Sequence, residues 1–99
     1  MKPPRILFTD GRTEPIKPAN PDDGFTFEEI KKALGFPDEY LLQIVPIHRT
    51  GEILVCDEEG MFNDHKINLL ATGEYGDDVN LGPDGIKGNV LICSPELIQ

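Results

Sequence analysis

The stretch Phe25-Thr26-Phe27-Glu28-Glu29-Ile30 constrains this chain more than any other. Thr26 as N-cap and Glu29 three residues on form a capping box, in which each side chain satisfies the other residue's free backbone donor. Phe25 before the cap and Ile30 beyond it are spaced for a hydrophobic staple. Glu28 and Glu29 suit the positive end of the helix dipole, and Lys31 and Lys32 suit the other end. Gly35 supplies a left-handed C′ position, Phe36 folds back onto the last turn, and Pro37 blocks continuation. The spacing predicts a two-turn helix over Thr26–Leu34, and the rest of the chain must supply what it packs against.

That remainder reads mainly as strands. Arg5-Ile6-Leu7-Phe8-Thr9 is an apolar run closed by the turn dipeptide Asp10-Gly11. Thr13 to Lys17 returns as a second arm, and Pro15 removes a ladder donor there, which places that arm at a sheet edge. Tyr40 to Ile47 and Ile53 to Cys56 flank His48-Arg49-Thr50-Gly51 and read as a longer hairpin, with Gly51 supplying a positive φ. Both arms are apolar with little alternation, the pattern of strands covered on both faces or of a barrel-like sheet. Pro46 predicts a bend or bulge near the turn. Asp57-Glu58-Glu59-Gly60 closes the hairpin, and Asn63 to Ala71 reads as a short second helix stopped by Gly73. Gly73 to Gly85 is loop chemistry, and Lys87 to Cys93 is a closing strand ended by Pro95.

With 99 residues the chain suffices for one domain, spanning residues 1–99, and is too short for βαβ windings. The expected class is α+β: a small, mainly antiparallel sheet of four or five strands packed against the capped helix, plus a short second helix. Its core should include Ile6, Phe8, Ile30, Leu34, Leu42, Ile44, Ile53, Val55, Leu70, Val90 and Ile92. The strands offer more apolar faces than one short helix covers, so a homo-oligomer is expected.

Charge narrows the function. Nine basic against eighteen acidic residues give a net charge of −9, which argues against direct nucleic-acid or anionic-membrane binding. Residues 1–20 hold Lys2, Arg5, Arg12 and Lys17 against Asp10 and Glu14, a net of +2, and residues 21–99 carry −11. No apolar run approaches the roughly 18 residues of a membrane span, and Lys2-Pro3-Pro4-Arg5 is not the start of a signal peptide. Two cysteines 37 positions apart without an export signal fit a reducing cytosol, so a cytoplasmic location is expected.

Catalysis is the weaker class. Asp57, Glu58, Glu59, Asn63, Asp64 and His65 are the densest polar cluster, yet their spacing matches neither a calcium loop nor a zinc site. Cys56 and Cys93 lie in apolar strands, and Ser94, the one serine, lacks a nucleophile elbow. No phosphate loop or dinucleotide fingerprint is present. These readings assign no catalytic residue, metal or cofactor. The binding handles are Arg5, Arg12, Lys17 and Arg49, which suit phosphate or carboxylate, with His48 on the hairpin tip and Tyr40 for stacking; Tyr75 is a second aromatic that could stack on a base or plug an interface. The plainer alternative is that these cations pair with Asp10, Glu14 and neighbouring acids on a solvated face.

From Tyr40 onward the chain resembles an uncharacterised family of small phage- and plasmid-encoded proteins. The resemblance rests on Val55-Cys56-Asp57-Glu58-Glu59-Gly60, on Asn68 with Ala71-Thr72, and on Asp84-Gly85-Ile86-Lys87-Gly88-Asn89-Val90-Leu91-Ile92. Asp57 stands where that family carries Asn, and the segment from Gly73 to Gly85 is longer than its pattern. What the resemblance implies is a mobile-genome context and the binding of a host component rather than a reaction. The same residues also read as fold requirements, with Glu-Glu-Gly ending a hairpin and Asn68 capping a helix. The leading expectation is a non-enzymatic binding protein that antagonises a host defence by sequestering a small nucleotide signal. Two alternatives stand beside it: an acidic decoy or protein-binding inhibitor of a host factor, and a metal-dependent hydrolase built on Asp57 to His65.

Overall fold

In the computed structural model, which describes residues 2–59, 63–79, 81 and 85–98, the capping box forms as the sequence predicts. Helix α1 (Phe27–Leu34) starts where the Thr26 side chain accepts the Glu29 N–H at 3.1 Å and Glu29 accepts the Thr26 N–H at 3.1 Å. Glu29 also accepts the Ala19 N–H, and these two backbone donors hold its carboxyl below the usual range. At the other end Gly35 adopts φ 78°, and the Phe36 N–H turns back to the Lys31 carbonyl. Thr26→Ala is expected to cost about 1 kcal/mol of stability. Urea unfolding followed by circular dichroism measures it.

Strands β1 (Arg5–Leu7), β2 (Thr13–Pro15), β3 (Leu42–Ile47), β4 (Glu52–Asp57) and β5 (Val90–Cys93) form one antiparallel sheet in the order β2-β1-β5-β4-β3. The period of two along a strand then divides the apolar side chains between two faces. Leu7, Leu54, Cys56, Val90 and Ile92 meet Ala71 and Tyr75 of α2 (Leu69–Tyr75). Ile6, Ile53, Val55, Leu91 and Cys93 meet Ile30 and Leu34 of α1, with Phe25 as the buried staple. One helix therefore covers each face, and β1, β4 and β5 are buried throughout. This is the α+β fold expected from the sequence. Among the described residues no helix is long and apolar enough to cross a membrane.

Four details depart from the expectation. β4 is covered on both faces, but β3 is an edge strand, and Ile44, expected in the core, is 41% exposed. Phe8, Leu42 and Leu70 lie half-buried at the rim of the core. Pro46 makes no bulge: it pairs with Ile53 in unbroken register. The second helix starts at its cap Asn68 and runs through Gly73 to Tyr75, because Asn63 and His65 are engaged elsewhere.

Candidate binding cleft at one end of the sheet

Arg5 shares a sheet face with Leu7, and Glu52 shares that same face with Leu54 and Cys56. Both side chains consequently point toward α2, one strand apart across β5. The Arg5 guanidinium grips Glu52 with two bonds, Nη1 to Oε2 at 3.0 Å and Nη2 to Oε1 at 3.3 Å. Nη2 also donates to the hydroxyl of Tyr75, the last residue of α2, and Nη1 to the Pro3 carbonyl. Arg5, Glu52 and Tyr75 are all buried. Burial alone would lower the guanidinium pKa, but the Glu52 carboxylate and Tyr75 more than compensate and raise it. Burial likewise lifts the Tyr75 phenol above its ordinary value, with Arg5 offsetting only part of that shift.

This triad is the floor of a cleft of about 560 Å³, walled by Lys2, Arg49, Thr50, Gly73 and Glu74. Arg49 leans over the Tyr75 ring, 5.9 Å from its centroid, and donates through Nη2 to the Glu74 carbonyl. The Asp78 carboxylate accepts the Arg49 backbone N–H at 2.9 Å, pinning the hairpin tip against the segment after α2. Three cations against two carboxylates make the lining locally positive in a protein of charge −9.

Of the six residues singled out for ligand binding, Arg5 and Arg49 meet in this cleft, with His48 exposed beside Arg49. Lys17 is exposed just beyond β2, outside the cleft lining. Arg12 lies past the opposite end of β1, between Asp10 at 2.7 Å and Glu14 at 2.9 Å and over the Phe8 ring. Tyr40 precedes β3 at that same far end, with its ring centroid 5.5 Å from Phe36 and 5.8 Å from His65. The strand register thus separates Arg12 and Tyr40 from Arg5 and Arg49. Tyr75, weighed with Tyr40 for stacking, is buried in the cleft floor, and Lys2 and Glu52 are lining residues that the sequence reading does not single out. A signal for Glu52 existed, because it has the strand parity of Leu54 and Cys56.

Compared with protein-family models, curated proteins and solved structures, the chain matches none.

The side chains behind the family resemblance serve the fold. Asp57 is buried and accepts from Asn63 at 2.7 Å, His65 at 2.9 Å and the Glu59 N–H. Thr72 accepts the Ile86 N–H at 3.0 Å, and Gly88, at φ 82°, lets the His65 ring lie where a Cβ would be 3.1 Å from it. Gly60 and Asp84 of that pattern lie outside the described residues. Among the described residues no group of three His, Cys, Asp or Glu side chains is placed to hold a metal ion. Cys56 is pushed up to about 12 by burial and Asp57, and Cys93 to about 11 by burial and nearby carboxylates, so both are protonated core groups.

Proposed function

We propose that this chain is a non-enzymatic binding protein whose cleft takes a small anionic ligand, most concretely a nucleotide, and that it serves a mobile genome by sequestering a host defence signal. The observation that carries this reading is the cleft itself: Lys2 and Arg49 stand over a floor whose own cation, Arg5, is already matched by Glu52. A pre-formed, buried floor lowers the ordering cost of binding. Arg49 gives one N–H to Glu74, and a guanidinium has four more to offer a phosphate. The cleft volume is that of a small-molecule site. Each charge-assisted bond contributes on the order of 1.5–3 kcal/mol, so two of them support binding in roughly the millimolar range.

Calorimetric titration of cyclic and linear nucleotides tests the reading. Binding is expected in wild type, lost in Arg49→Ala and retained in Arg12→Ala, whose side chain lies at the far end. No heat with any nucleotide overturns the ligand class and turns attention to the −11 charge of residues 21–99 as a surface for a basic protein partner.

A further inference from the structure

The two sheet edges are built differently. β2 is three exposed residues that include Glu14 and Pro15, features that discourage further pairing. β3 is twice as long, and from Leu42 to Ile47 it carries no charge. The Glu58 N–H donates to the Leu41 carbonyl at 2.8 Å, which sets the phase of the ladder with β4. By alternation, the main-chain groups of Gln43, Val45 and Ile47 face β4, and those of Leu42, Ile44 and Pro46 face away from it. Pro46 therefore sacrifices no bond within the sheet. Leu41 is 56% exposed along this edge.

We propose that β3 pairs antiparallel with β3 of a second copy, about a two-fold axis at Ile44, joining the two sheets edge to edge. In this register the two Ile44 residues exchange both N–H···O bonds, and each Leu42 N–H donates to the partner's Pro46 carbonyl. The four bonds use Pro46 only as an acceptor, as proline requires. Charge selects the same partner. β3 is preceded by Asp38-Glu39 and followed by His48-Arg49, so an antiparallel second copy sets acid against base at both ends. Opposite charge at the two ends offsets part of the repulsion between two chains of charge −9.

Light scattering on the purified protein across the micromolar range tests this independently of the cleft. Wild type is expected near 22 kDa, twice the chain's 11.0 kDa. Ile44→Lys, which sets like charges face to face, and Ile44→Pro, which deletes only an N–H that β4 does not use, are each expected near 11 kDa with an unchanged circular dichroism spectrum. Leu69→Lys, on the exposed side of α2, is expected to leave the mass unchanged. A monomeric wild type, a dimer that survives both Ile44 variants, or one lost with Leu69→Lys overturns the proposal.

Discussion

Glu52→Ala is expected to lower the unfolding free energy by about 3–5 kcal/mol, because it leaves the Arg5 charge buried without its partner. Arg5 has 9% of its surface exposed and Glu52 has 4%, so water offers little substitute for the lost carboxylate. On a total of about 5–15 kcal/mol for a small domain, a loss of this size removes much of the margin. The control distinguishes buried charge from lost packing. Replacing both partners by apolar residues, Arg5→Met with Glu52→Leu, removes the unmatched charge and should recover most of the loss. Urea unfolding of the two single variants and the double gives the coupling directly. A Glu52→Ala cost below about 1 kcal/mol would mean that water reaches the pair as it reaches a surface ion pair. The cleft would then lack the fixed floor on which the binding proposal depends.

The same pair shows why local patterns revealed the fold more readily than the site. α1 was legible because its signals, Thr26, Glu29, Gly35 and Pro37, lie within a dozen residues and act on adjacent backbone groups. The hairpins were legible from apolar runs broken by Asp10-Gly11 and by Gly51. Arg5 meets Glu52 across 47 positions and Tyr75 across 70, and only the strand order brings them together. Sequence position likewise placed Arg12 beside Arg5, whereas strand direction carries it to the opposite end of the sheet. Ile44 has the composition of a core residue, and only its edge position in the strand order makes it exposed. The shift of α2 has a different cause. Asn63 and Asn68 are both suited to capping by type, and the choice is made by partners outside the helix: Asp57 takes the first, and Leu7 and Gly88 take the second.

Asn68 supplies the second large effect. It is fully buried, and its Nδ2 donates to the carbonyls of Leu7 and Gly88 at 2.9 Å each while Oδ1 accepts the Ala71 N–H at 3.0 Å. One side chain thus joins the end of β1, the approach to β5 and the start of α2. Asn68→Ala removes a cap that contributes about 1 kcal/mol. It also strips two buried carbonyls of their donor, at about 1–3 kcal/mol for each group left unpaired. The expected loss is about 3–7 kcal/mol. Asn68→Asp separates the two roles. Aspartate is as good an N-cap as asparagine, so a residue acting only as a cap would tolerate the change. In this position the second oxygen would face two carbonyl oxygens instead of donating to them, adding a buried charge that nothing neutralises. Asn68→Asp should therefore destabilise at least as much as Asn68→Ala and partly recover on acidification, as protonation restores one donor. Near-wild-type stability of Asn68→Asp at neutral pH in urea unfolding would reduce Asn68 to a helix cap, with no part in tying α2 to β1 and β5.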